Sequence, residues 1–277
     1  MQQTIQKQVE IKGTALHNGK PSRMVFLPAP PGTGILFRRV DLPGKPRIPA
    51  RVDYFKELPI MCSCVGNENG AMVRIIEHLM ACLNAFRIDN LMIEIDNEEI
   101  PFMEGDAAFL LRLVKEAGIK VQNAPREPVR IKAPIVFKEN GVEMTACPSD
   151  VLRVTFFASY PNPHVGSQSL TLEVTPESFA SEIAAARTFC FESDVEEMLR
   201  HGLLRGATEN SALVYGEKGL LNGSLRFPDE PVRHKIMDLI GDLYLLGAPL
   251  LAHVTAFRSG HIAHARFIKF LRKEAGL

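Results

Sequence analysis

The sequence predicts an α+β protein built as two similar halves. Two observations carry this. Apolar segments of strand length precede segments of helical periodicity, and that succession occurs twice along the 277 residues. Between the two runs, residues 122–128 (QNAPREP) hold two prolines and no apolar run, the composition of a linker. The expected division is therefore 1–121 for the first α+β domain and 129–277 for the second.

In the first half, Val9 to Gly13 reads as a strand entering the turn Leu16-His17-Asn18-Gly19, with Ser22 to Leu27 as the return strand. The cluster PAPPGTG (28–34) is a turn, Ile35 to Val40 a strand, and Arg47 to Val52 a further one. Val73 to Asn84 turns helical, with Ile75, Ile76, Leu79, Met80 and Leu83 recurring at threes and fours. Leu91 to Ile95 is a strand. Glu99-Ile100-Pro101 and Glu104-Gly105 make a turn, and Ala107 to Ala117 is an amphipathic helix closed by Gly118.

In the second half the β pattern resumes over 129–131, 135–137, 142–146 and 152–158. Pro161-Asn162-Pro163 breaks it, and 169–174 continues it. Helices are expected over 176–186, 195–200 and 234–246, then a strand over 253–258 and a last helix over 264–274.

Composition narrows the function. Lys+Arg and Asp+Glu balance at 32 each, so there is no polybasic surface for nucleic acid or for an anionic membrane. Five scattered cysteines do not form a disulfide framework, which points to reduced thiols and a cytoplasmic protein. The N-terminus MQQTIQKQVEIKG lacks the apolar core of a signal peptide. No run of about 18 apolar residues exists, so stable membrane insertion is not expected.

The chemistry concentrates on the segment from His234 to Gly247. His234, Asp238 and Asp242 follow at i, i+4 and i+8, one polar stripe on an otherwise apolar helix. Buried polar groups need partners. A His and an Asp four apart can clasp one divalent ion, although the same pair is commonly a plain hydrogen bond. Gly241 costs roughly 1 kcal/mol against Ala mid-helix, which calls for a close neighbour or a ligand. Elsewhere Glu77 and His78 stand side by side on a helix, about 100° apart, so one can bind a metal while the other lies beside it. His261 sits in RSGH (258–261), a turn after a strand. A catalytic zinc takes three protein ligands and leaves a position open, and hydrolysis needs a base and an acid nearby. His78, His234, Asp238, Glu77 and His261 make up that set. Spacing assigns nothing to His164, His201, His253 or His264.

Seven motifs then carry a resemblance over residues 4 to 272: GTALHNG (13–19), GTGILFRRVDL (32–42), IIEHLMACL (75–83), IDNLMIEIDNEEIPFMEG (88–105), ARTFCFESDVEEMLRHGLLRG (186–206), LRFPDEPVRHKIMDLIGDLYLLG (225–247) and SGH (259–261). The chain resembles the LpxC family, the UDP-3-O-acyl-N-acetylglucosamine deacetylases of lipid A biosynthesis. The resemblance implies that His78, His234 and Asp238 bind the metal, zinc or alternatively Fe2+. It implies Glu77 as the base, His261 as the acid oriented by Asp242, and Thr188 as a group polarising the acetamide carbonyl. Lys235, Phe189 and Arg258 would contact the substrate, an acylated UDP-sugar. An inserted βαβ element, Phe191 to Ala207, would line an acyl-chain passage with Val195, Met198, Leu199, Leu203, Leu204 and Ala207. The implied fold is two domains, each a mainly antiparallel sheet, with the helices packed between the two sheets, and the implied state is a monomer. The chain departs from the family pattern at Glu104-Gly105-Asp106, at Tyr160-Pro161, at Ala207, and at His264, where an Asn is usual. A catalytically silent homologue that binds acylated sugar nucleotides would be expected to have lost its base or ligands, and a closed structural metal site would want a fourth ligand.

Overall fold

The computed structural model describes residues 1–276. In the first sheet the strands lie in the order Val9–Thr14, Pro21–Pro28, Leu91–Ile95, Ile35–Arg39, Arg47–Pro49. In the second the order is Ile135–Glu139, Val142–Pro148, Leu250–Phe257, Leu152–Ser159, Ser167–Glu173, with Val129–Arg130 added beside the start of the central strand. These are one topology used twice. Each sheet has two hairpins flanking a central strand that comes last in the chain. That strand runs antiparallel to the first hairpin and parallel to the second.

The helices fill the space between the sheets. Every residue of the Glu77–Ala85 helix is buried, and so is every residue of the Glu230–Leu243 helix except Arg233 and Lys235. One apolar cluster joins Phe26, Phe37 and Ile93 of the first sheet to Val154, Phe156 and Val254 of the second through Leu79, Met80, Ile236 and Ile240. Gly241 lies where the two helices cross. A Cβ there would stand 1.9 Å from the Glu77 carbonyl oxygen and 3.0 Å from the Ala81 nitrogen. The close neighbour that a mid-helix glycine calls for is thus the backbone of the other helix, and it sets the distance between the two.

Several boundaries differ from the sequence expectation. The helix expected from Val73 starts at Glu77, because Met72–Arg74 pairs with Cys64–Gly66 as a hairpin. Ile75 then takes a left-handed φ of 64°, costly for a β-branched residue. The amides of Ile75 and Ile76 both reach the Ser63 carbonyl, at 2.9 and 3.4 Å. The segment expected to be helical over 176–186 is one capped turn, Pro176–Ser178, followed by a wide turn over Phe179–Ile183. The last helix begins at His261, three residues earlier than expected. A short strand pair without a strong apolar signal was also absent from the expectation: Gln3–Ile5 paired with Ile119–Val121. Where the resemblance implied a βαβ insertion over Phe191 to Ala207, the structure has a βαβ unit with wider bounds: Phe189–Phe191, the helix Glu192–Arg200 and Leu213–Gly216, the two strands pairing in parallel.

Candidate active site

The site forms where three helices meet. Glu77 and His78 open the first, His234, Asp238 and Asp242 line one face of the second, and His261 is the first residue of the third. His261 is therefore held by a helix start rather than by a free turn.

His78, His234 and Asp238 offer one ligand atom each within 4.8 Å of one another, and all three are buried. Asp238 Oδ1 stands 3.5 Å from His78 Nε2 and 3.4 Å from His234 Nε2. That oxygen is buried and has no hydrogen-bond partner. Burial pushes the His234 imidazole down to a pKa of about 3, so its Nε2 lone pair is free to donate. Although burial opposes its charge, Asp238 is kept well below the usual carboxylate range by the adjacent Lys235 ammonium. Two imidazole nitrogens and an ionised carboxylate with one oxygen unused fit a divalent ion of the zinc type. Lys235 Nζ lies 2.7 Å from the other oxygen, Oδ2, so this ammonium is engaged by the same carboxylate.

Glu77 is not within this trio. Its Oε2 accepts the Ser63 amide at 2.9 Å, and burial raises its pKa above the usual value. His261 turns Nε2 toward the trio, 3.9 Å from Asp238 Oδ2, while Nδ1 is 2.8 Å from Asp242 Oδ2. Burial disfavours the His261 cation, yet the Asp242 charge and hydrogen bond outweigh it and hold the pKa at about 9. Asp242 thus pairs with His261 rather than with Lys235 or Arg258. It also accepts from the Ser63 hydroxyl and, at 2.7 Å, from His264 Nδ1.

Thr188 and Phe189 follow Arg187, whose guanidinium and amide bind the buried Glu230 carboxylate at the start of the long helix. The Thr188 amide donates to the Gly105 carbonyl at 2.8 Å. The Phe189 ring stands edge-on to His234, 6.2 Å between centroids, in an aromatic group with Tyr160, Phe191 and Tyr215. The Glu192–Arg200 helix has no buried residue, and Val195, Met198, Leu203 and Leu204 are half-buried. Leu199 and Ala207 are exposed, as is Arg258. The far end of this arm is tied to the first half, where Gly206 N donates to Leu16 O and Arg205 N to His17 O at 2.9 and 3.2 Å. The structure therefore gathers Glu77, His78, His234, Lys235, Asp238, Asp242 and His261 in one place, with Phe189 beside them, and sets Leu199, Ala207 and Arg258 on the surface. Ser63 and His264 are also in this network, and spacing alone identified neither.

A family profile described as "LpxC: UDP-3-O-acyl N-acetylglycosamine deacetylase" matches residues 2–273. The chain belongs to the LpxC family. A relative from Oleidesulfovibrio alaskensis named UDP-3-O-acyl-N-acetylglucosamine deacetylase is 41% identical over 277 residues, covering 100% of this chain and 90% of its own. One of the same name from Solibacter usitatus is 42% identical, covering 96% of this chain and 89% of its own. Another from Thermosynechococcus vestitus is 38% identical, covering 99% and 94%. Set within the LpxC family, the departure at His264 acquires a location: the side chain is fully buried against Asp242. No helix among the described residues is long and apolar enough to cross a membrane.

Proposed function

We propose that this LpxC-family enzyme hydrolyses the 2-acetamido group of a UDP-3-O-acyl-N-acetylglucosamine to acetate and the free amine, the committed step of lipid A biosynthesis. The names and full-length coverage of its relatives support the substrate class. The observation that carries the chemistry is the unpartnered Asp238 oxygen beside two imidazole nitrogens.

His78 Nε2, His234 Nε2 and Asp238 would hold a zinc ion, or Fe2+ in its place; when bound, the ion acidifies a water molecule and polarises the acetamide carbonyl. Glu77 is the base. Its Oε2 is fixed by the Ser63 amide, Oε1 receives the proton, and the burial that raises its pKa suits it to take a proton near neutrality. Thr188 adds a hydroxyl dipole where the oxyanion forms. His261, cationic and oriented through Asp242, delivers a proton from Nε2 to the departing amine, or Glu77 returns the one it took. Phe189 packs against the sugar and the start of the acyl chain. Val195, Met198, Leu203 and Ala207 line the way for that chain, and Arg258 reaches the nucleotide phosphates. Lys235 reaches substrate by exchanging its Asp238 partner, which it now holds at 2.7 Å.

We also take the chain to divide at 122–128 and to act as a cytoplasmic monomer, since one chain supplies every residue of the site. Acetate release from the acylated nucleotide, measured beside metal analysis of the same protein, tests the reading. Metal-loaded protein that leaves the acetamide intact would contradict it.

A further inference from the structure

The Asp242 carboxylate is held more tightly than orienting one imidazole requires. Its Oδ1 accepts from the Ser63 hydroxyl. Its Oδ2 accepts from two rings at once, His261 Nδ1 at 2.8 Å and His264 Nδ1 at 2.7 Å. Resting on the reading above, we propose that His264 is a positioning residue, pinning Asp242 Oδ2 so that His261 keeps its Nε2 turned toward the His78–His234–Asp238 trio.

His264 follows His261 by three residues on one helix, so both rings face the same neighbour. Their centroids are 6.1 Å apart with an interplanar angle of 80°. His264 is fully buried, and its far nitrogen is occupied too, with Nε2 2.8 Å from Ser259 Oγ. An ionised carboxylate only accepts, so the His264 proton facing Asp242 is on Nδ1. Burial favours the neutral ring, and Nε2 then accepts from the Ser259 hydroxyl. Ser259 fixes the ring, the ring fixes Oδ2, and Ser63 fixes Oδ1. With both oxygens tied to different elements, the carboxylate cannot rotate about its Cβ–Cγ bond without breaking a buried hydrogen bond. His261 is set by a clamped acceptor rather than a swivelling one.

Two amide substitutions separate this role from simple space-filling. The amide nitrogen of Asn falls near the place of Nδ1, and that of Gln near the place of Nε2. His264→Asn keeps a donor for Asp242 and loses Ser259. His264→Gln keeps a partner for Ser259 and loses the donor to Asp242, although Gln is closer to His in volume. For His264→Gln, kcat falls roughly tenfold, the scale of one hydrogen bond to a charged group, with KM and bound metal unchanged. For His264→Asn, kcat stays within about threefold of the parent, by the smaller scale of a neutral hydrogen bond. In spectra of 15N-histidine-labelled protein, the His261 Nδ1–H resonance shifts in His264→Gln and holds its position in His264→Asn. Thermal unfolding of both variants confirms that the folded protein is being compared. The reverse ranking, with Asn the more damaging, makes His264 a core filler and overturns the proposal, as does parent-like kcat with an unmoved His261 resonance in His264→Gln. Failure of the parent protein to release acetate would strike the functional reading instead, because the resonance contrast depends on no reaction.

Discussion

The substitution Gly241→Ala sets two physical effects against each other. Helix propensity alone favours it by roughly 1 kcal/mol, since glycine is the worse residue mid-helix. The structure predicts the opposite sign. The added Cβ would lie 1.9 Å from the Glu77 oxygen, 2.8 Å from the Glu77 carbon and 3.0 Å from the Ala81 nitrogen, all backbone atoms that cannot step aside as a side chain can. Restoring ordinary contact at 3.4 Å parts the helices by about 1.5 Å. Overpacking of this kind costs about 1–3 kcal/mol, and the upper end is expected for a crossing with no give. The displaced atoms include the residue just before His78, while His234 and Asp238 stay on the other helix. Metal sites tolerate distance errors of roughly 0.2 Å, so affinity for the ion falls along with stability. Urea unfolding measures the first effect and metal retention on dialysis the second. A variant as stable as the parent or more so, with its metal retained, would refute the packing argument and leave propensity as the governing term.

Glu77→Gln keeps an acceptor for the buried Ser63 amide and removes the proposed base, so bound metal is retained while turnover falls about a hundredfold or more; loss of metal in that variant would make Glu77 a ligand. Asp242→Asn removes the charge that raises His261 toward about 9 against the effect of burial, so turnover drops and the basic limb of the pH–rate profile moves to lower pH. His17 is neutral in the fold, its pKa pushed down to about 4 by burial and by the Arg74 charge. A histidine with a lowered folded value binds fewer protons than the unfolded chain, so its stabilisation is full above the ordinary value of 6.5 and is lost as pH falls toward 4. Urea unfolding from pH 7 to 4 therefore shows a shallower acid decline in His17→Gln than in the parent. Met198→Asp places a charge among the apolar side chains assigned to the acyl passage, and kcat/KM should fall more for a long-chain substrate than for a short-chain one.

Most of the site could be read from the sequence because its members travel in local patterns. The i, i+4, i+8 stripe placed His234, Asp238 and Asp242 on one helical face, and the adjacent Glu77 and His78 marked a second contributor. The helix carrying that pair was expected four residues too early. The apolar periodicity runs through Val73 and Ile75, and what stops the helix is a hairpin and a left-handed Ile75, which depend on the Ser63 carbonyl across the turn. The same dependence hid Ser63 itself. A lone serine has no pattern, and it reaches Asp242 only because two helices far apart in sequence cross at Gly241. His264 left one trace, a histidine where the family pattern has an asparagine. The doubled topology could be read as strands followed by helices, twice. The pairing order could not, because in both sheets the central strand comes last and inserts between hairpins formed earlier.

The central claim is that His78, His234 and Asp238 hold one ion on which the reaction depends. Its most direct measurement is a zinc titration of chelator-stripped protein, following acetate release at each addition beside metal analysis of the desalted sample. Activity is expected to rise linearly to a plateau at one equivalent, and His234→Ala is expected to retain no stoichiometric metal and to stay near baseline. Full activity in the stripped protein, or stoichiometric metal still bound in His234→Ala, would contradict the assignment.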